Sequence, residues 1–452
     1  MIKKRLMTNN KFYYLTICGL GPAGLGTVIQ SVKSGYLDNS LKLGIMIIDS
    51  ANELGGGSLT RYHINSNTLA KVLLETFDTP NSKSLFFDQM KSKSINRILN
   101  NQNKYIPCSE MGFFLNELGD ITSSIFSRYK NSNVEKESQV ISIKLRSDGK
   151  QEVIYKKNNE KKSIISENII LTLGAEQSFD IIKKIHITKN DQLKKYESKI
   201  VLSSNIIEKD NNTRQKILNK LNPKNPKIVV LGGSHSAWSV TWFLMNKLNL
   251  WLGQNIELLP QSITIVHRSK IKLFYNSAKD AYEDNYIFEK TDICPLSGRV
   301  NRFRGLRGDA FDLAKKHLKS SHDNIIRLIS TDACDNNQIN DLLSSADIII
   351  PAFGYRAKTV PIYDESGKII PLKFDENGLV IDERTRIIKQ DGQPLNNILA
   401  YGLGAGMKSS SKVGGESALS GRIDGIWLFQ NDVGKVALNT IIANLKKLKI
   451  KI

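Results

Sequence analysis

An apolar run at 14 to 18 leads into Gly19-Leu20-Gly21-Pro22-Ala23-Gly24, then a helical pattern, then a second apolar run at 43 to 48 that closes on Asp49. Glycines at this spacing between a strand and a helix suit a pyrophosphate. One makes the tight turn, one lets the backbone approach the phosphates, and one lets helix pack on strand. The helix N-terminus then faces the anion, and Asp49 is placed to accept from a ribose hydroxyl. The pattern recurs at 227 to 248, KIVVLGGSHSAWSVTWFLMNKL, with a partner strand in SITIVHRSK at 262 to 270. Here the turn reads Gly232-Gly233-Ser234-His235-Ser236-Ala237, with Ser234 where the middle glycine would stand. This unit closes on His267, Arg268 and Lys270 instead of an acid. An acid pairs with a free 2′-hydroxyl and basic groups with a 2′-phosphate, so the first site suits FAD or NAD and the second NADPH. A plain basic surface is the alternative at the second.

Further glycines belong to the candidate cofactor set. Gly55 and Gly56, with Gly57, follow the ribose-binding acid and make either a loop that lies flat on a ligand or a flexible connection. Gly174 ends a buried strand at 168 to 175, and Gly402 and Gly404 form the turn after the last strand. Pro22, Ala23, Gly233 and Ser236 complete the set, and His235 inside the second turn either contacts NADPH or fills space.

The elements needed to position these groups alternate between strand and helix, an α/β pattern. A helix is expected from Thr68 to Phe77 with Ser66 or Asn67 as its cap, and one or two short helices over 111 to 129. A β-meander runs through SQVISIKLRS, QEVIYKK and KKSII and closes on the separate strand NIILTLGA. IVLSS at 200 to 204 is strand-like, and 414 to 434 reads as a terminal helix with a glycine-rich entry. The basic loop Arg302 to Arg307, ahead of an amphipathic helix from near Asp309, reads as surface. Asn222-Pro223-Lys224-Asn225-Pro226 is the clearest linker. The expected organisation is two Rossmann-like three-layer domains with the NAD(P)-binding domain inserted in the FAD-binding domain: 11–221, then 222–357, then 358–452.

With 452 residues, 40% hydrophobic and 24% charged, the chain has the composition of a globular protein of two or three domains. Its net charge of +20 comes from scattered lysines. They read as a solvated surface, with an anionic partner such as tRNA or a membrane surface as the alternative. Four widely spaced cysteines form no CxxC, which excludes a redox dithiol of the usual spacing and fits a reducing cytoplasm. The basic N-terminus is interrupted by Asn9, Asn10 and Lys11 and is not read as a signal peptide. No apolar run is long enough to span a membrane, and the histidines show no metal-ligand spacing.

The order of motifs from about 13 to 434 resembles the flavoproteins with two dinucleotide-binding domains. GLGPAGL, GGSHSA and PAFGYR look most like the flavin-dependent monooxygenases that hydroxylate amines, such as ornithine and lysine N-hydroxylases. The chain departs from that pattern at Ser234 and at Phe353, which stands before Gly354 where a threonine is usual. The resemblance implies FAD at Gly19, Gly21, Gly24 and Asp49, and NADPH at Gly232, Ser234, Ala237 and Arg268. It implies a small nucleophilic substrate, for example an amine, and O₂. The flavin would carry the chemistry, and His63 would be the ionisable group nearest to it. Two alternatives stand beside the monooxygenase: an NAD(P)H-dependent flavin reductase or dehydrogenase without oxygen insertion, and a flavoprotein that binds RNA.

Overall fold

The computed structural model describes residues 11–90, 92–187, 192–318, 324–375, 378–410 and 413–447. Two sheets dominate it. In the nine-stranded sheet, Phe12–Cys18 lies between Ile45–Ile48 and Glu160–Leu171 and runs parallel to both, so that Ile17 is level with Ile47 and Ile170. Pro394–Ala400 adds in parallel on the far side of Glu160–Leu171. The second sheet has four parallel strands in the order Ile326–Ser330, Ile263–His267, Ile228–Leu231, Ile348–Pro351. Ile45–Ile48, Ile228–Leu231 and Ile348–Pro351 are buried at every position, as β-branched runs are when helices cover both faces of a parallel sheet.

The second sheet is inserted in the first, since the larger one takes strands from before 172 and after 361. Where the chain crosses between them, Ala175–Glu176 pairs antiparallel with Arg356–Ala357, binding exit to return. The arrangement is the α/β fold read from the sequence, with two parallel-sheet units and a meander.

Several elements differ in detail. The third meander strand and NIILTLGA are one strand, Glu160–Leu171, whose first half pairs with Gln151–Lys157 and whose second half enters the parallel sheet. The polar residues that look like a break are satisfied within the sheet. Thr16 donates to Ser166 Oγ (2.8 Å), and Asn168 Nδ2 donates to the Tyr14 carbonyl (3.3 Å). Asn65–Leu69 is a strand paired with Tyr105–Pro107, and the helix shrinks to Lys71–Leu74 followed by a 3-10 turn. Ser66 Oγ accepts from the Thr68 N–H (2.9 Å), a local bond that competes with helix entry. The 111 to 129 segment is one helix, Cys108–Phe126, because Met111, Leu115, Leu118 and Ile125 share one buried stripe. Ile200 makes only an isolated bridge to Ile349, and Ser203–Ile207 is helical. The terminal segment holds two helices, Ile426–Gln430 and Asp432–Lys447, preceded by a short strand at Arg422–Ile423. Among the described residues, no helix is long and apolar enough to cross a membrane.

Candidate active site

The first glycine turn is fixed from both sides. Gly19 has φ +95°, and a Cβ there would lie 2.3 Å from the Thr172 carbonyl oxygen. Its N–H donates to Ile48 O (2.8 Å) and its carbonyl accepts from Thr172 Oγ1 (2.6 Å), so the turn is tied to the ends of both neighbouring strands. A Cβ on Gly24 would meet the Gly19 carbonyl at 2.1 Å, which brings the Gly24–Lys33 helix directly against the turn. Gly21 differs: a Cβ there would find only Gly57 Cα, at 3.8 Å. Packing does not require glycine at 21, so the freed space opens on a cradle at the helix N-terminus, where unpaired backbone N–H groups favour an anion.

Asp49 lies at that cradle, half-buried. Its Oδ2 accepts from the Leu20 N–H (2.6 Å) and its Oδ1 from the Ala51 N–H (2.8 Å). Burial raises its pKa, and these two N–H donors oppose the rise. Each carboxylate oxygen keeps a lone pair for a second donor, as a ribose diol requires.

The 53 to 57 loop owes its glycines to a helix. A Cβ on Gly55 would lie 1.9 Å from Leu115 O, and one on Gly56 would lie 2.4 Å from Gly112 O. The Gly56 N–H donates to Asn116 Oδ1 (2.7 Å). The loop therefore rests on the backbone of Cys108–Phe126, and Gly57 carries it back against Pro22. It is neither a flexible connection nor free of packing. Gly402 reaches the same place from the other end of the chain: its φ is +124°, and a Cβ there would sit 3.2 Å from Ala23 Cβ. The buried Tyr401 holds it there, its hydroxyl accepting from the Thr27 N–H (3.1 Å) and lying 2.7 Å from Thr27 Oγ1. Gly404 packs on Ala357 N, whereas Gly174, at φ +78°, faces open space.

In the second turn Gly232 has φ +131°, and its absent Cβ makes room for Ala352 O; that of Gly233 makes room for the His267 side chain. Ser234 is exposed, with extended backbone, and precedes the long helix His235–Leu252. Its Cβ creates no conflict in the fold. His235 points across the turn, its Nε2 3.0 Å from Gly305 O and its Nδ1 buried without a partner. Burial, with Arg307 nearby, pushes its pKa down to about 4. Ser236 is half-buried and Arg268 is exposed past the end of Ile263–His267.

His63 stands apart from both turns. Its backbone N–H donates to Ile207 O (2.8 Å) and its imidazole is exposed. Partial burial, Lys209 and Lys247 hold its pKa below the usual value. The side chain makes no hydrogen bond among the described residues, so nothing orients it toward a reacting atom. Its neighbour Tyr62 instead shares a hydroxyl hydrogen bond with Tyr355, and burial raises both phenols. The groups that sequence reasoning missed are Thr172, Tyr401 and Asn116, which set the cradle from remote positions. Only the TLGA and YGLG strand ends gave a local signal for the first two. An open cleft of about 1170 Å³, lined by Arg146, Lys150, Ile369 and Leu395 among others, includes none of the predicted residues.

No family model matches the chain. A CMP-5′-(3-aminopropyl)phosphonate hydroxylase of Streptomyces rubellomurinus is 26% identical over 440 residues, covering 96% of this chain and 98% of that protein. Among solved structures, the ornithine N-hydroxylase of Kutzneria sp. 744, described with reduced FAD, NADP⁺ and L-ornithine, matches 97% of this chain and 100% of its own at 13% identity, TM-score 0.53. The FAD-bound cadaverine monooxygenase of Erwinia amylovora matches 96% of this chain and 95% of its own at 13% identity, TM-score 0.54. An ornithine hydroxylase of Pseudomonas aeruginosa matches 96% and 100% at 14% identity, TM-score 0.54. The chain has the two-domain fold of these flavin-dependent N-hydroxylating monooxygenases.

Proposed function

We propose that this protein is an FAD- and NADPH-dependent monooxygenase that hydroxylates a small amine. The observation that carries this reading is the pair of glycine turns on two separate parallel sheets, one closing on Asp49 and the other on Arg268. The cradle around Gly21 fits the flavin: it is open where a Cβ would stand, has free N–H groups at a helix start, and has a half-buried carboxylate for the ribose. Gly19, Gly24 and Gly402 shape it. Bound there, the flavin would supply the redox chemistry that links NADPH, O₂ and the amine, with one oxygen atom going to the substrate nitrogen and the other to water.

The chain's own part is to bind and orient. Gly232 and Gly233 hold the second turn, and Arg268 meets the 2′-phosphate. Neither turn needs a protein nucleophile, which agrees with the exposed and unanchored His63. The amine hydroxylases of like fold and the aminopropylphosphonate hydroxylase support the choice of an amine. The test is the absorption spectrum of the purified protein. NADPH should bleach a flavin band without oxygen, air should restore it, and an amine substrate should raise NADPH oxidation and give a hydroxylamine. A flavin that NADPH cannot reduce overturns the proposal. Bleaching with no substrate ever oxygenated leaves a flavin reductase.

A further inference from the structure

The basic loop that reads as surface in the sequence is built into the contact between the two units. Asn301 is fully buried at φ +49°, a Cβ on Gly305 would lie 2.5 Å from Phe274 N, and Gly308, at φ +55°, packs on the Tyr105 ring. These constraints give the loop one shape. Arg302 is only 9% exposed. It donates to Val413 O (3.2 Å), and its guanidinium lies 4.7 Å from the Phe303 ring centre. Arg304 donates to Ala418 O (2.7 Å). Arg307 donates to Arg302 O and covers the Phe274 ring at 3.9 Å.

None of these three guanidinium groups has a carboxylate within 4.0 Å among the described residues. Arg302 also donates to Cys294 Sγ (3.6 Å), and Asp432 acts on it only from beyond 4.0 Å, while three other nearby acids are engaged elsewhere. Glu416, fully buried, accepts the Phe303 and Arg304 backbone N–H groups. Asp292 pairs with Lys272, and Asp309 accepts from Asn65 (2.8 Å). Burial, together with Arg299 and Arg302, pushes Arg307 down to about 10, against the opposing effects of Tyr105 and Glu416. Buried cations are ordinarily paired, because desolvating an unpaired charge is costly. A rigid loop that holds one buried and two half-buried guanidinium groups, none of them paired with a carboxylate, is preorganised for an anion from outside the chain.

We infer that Arg302, Arg304 and Arg307 form a subsite for a phosphate or phosphonate group carried by the amine substrate. The inference rests on the oxidoreductase reading above and names the substrate class for it: an amine with a phosphonate or phosphoester tail. The loop lies between the second glycine turn, through His235 and Gly305, and the 413 to 418 segment that follows the flavin-side turn.

The same chemistry could come from NADPH, so the experiment separates the two sources. Substrate-dependent NADPH oxidation is measured with 3-aminopropylphosphonate and with 1-aminopropane, for the wild type, Arg304→Gln and Arg304→Lys. The wild type should prefer the phosphonate at least about tenfold in kcat/KM, since a charge-assisted hydrogen bond is worth about that factor or more. Arg304→Gln should lose about tenfold of that preference, Arg304→Lys should keep part of it, and the KM for NADPH should not follow. A wild type with no preference overturns the inference, as does a rise confined to the KM for NADPH, which would assign the loop to the dinucleotide. Calorimetric titration of 3-aminopropylphosphonate without NADPH gives a second readout. It should show salt-sensitive binding that Arg304→Gln weakens, and it still tests the subsite if the flavin proves not to be reduced.

Discussion

Gly21→Ala separates the ligand's demands from those of the fold. Among the glycines of the first turn it alone lacks a structural reason: its φ is not positive, and an added Cβ meets nothing closer than Gly57 Cα at 3.8 Å. In the free protein the substitution should be neutral or stabilising by about 0.4–1 kcal/mol, the usual gain from restricting the unfolded chain at an unstrained glycine. The methyl would project into the cradle and hold a pyrophosphate off the helix N-terminus. Losing one charge-assisted hydrogen bond costs about 1.5–3 kcal/mol, which is about tenfold to a hundredfold in affinity. Gly24→Ala is the contrasting variant, because its Cβ would meet Gly19 O at 2.1 Å and should cost about 1–3 kcal/mol through overpacking. Flavin affinity is read from fluorescence quenching on titrating FAD into the apoprotein, and stability from its denaturant midpoint. Gly21→Ala should leave the midpoint in place and weaken FAD. Unchanged affinity would refute placing the pyrophosphate at this turn. An apoprotein as destabilised as Gly24→Ala would refute the claim that the space is unused by the fold.

Arg268→Ala should raise the KM for NADPH about tenfold and leave that for NADH nearly unchanged, which steady-state kinetics with both donors will check. His235 binds its proton at about 4 in the folded chain and near 6.5 when unfolded, so the unfolded state takes up more protons between those values. Stability should therefore be full above pH 6.5 and fall as pH drops toward 4, by on the order of 2 kcal/mol after allowance for partial exposure. His235→Asn should flatten that limb of a melting profile recorded from pH 7 to 4. Tyr401→Phe removes the hydroxyl shared with Thr27 and should cost about 1–2 kcal/mol in a denaturant titration.

How much of this was legible depended on how local the cause was. The turns at 19 to 24 and 232 to 237 were readable because strand, glycine spacing and helix all lie within one short stretch, and the pleat and helical periods mark them. The roles of Gly55 and Gly56 were not. Their glycine is demanded by the carbonyls of Leu115 and Gly112, on a helix that sequence periodicity marks but cannot dock. The helix expected from Thr68 starts only at Lys71 because Thr68 and Leu69 belong to the strand Asn65–Leu69, whose partner, Tyr105–Pro107, lies far along the chain. Thr172 and Tyr401 sit in the TLGA and YGLG strand ends, but nothing local shows that their hydroxyls fix Gly19 and the helix beside Gly402.

The arginine loop makes the same point with charge. In sequence, Arg302 to Arg307 is one more basic stretch in a chain of net charge +20, and a solvated face is the economical reading. What distinguishes it is its surroundings: Glu416 takes the backbone N–H groups from more than a hundred residues away, and Val413 and Ala418 take the guanidinium N–H groups. Many of the chain's lysines meet only an exposed acid, as Lys42 does at Asp38 and Lys279 at Glu283. Exposed pairs of that kind contribute little and discriminate little. The charges that can select a substrate are those that folding removes from water without pairing them, and burial of that kind is set by tertiary contacts that a count of basic residues does not contain.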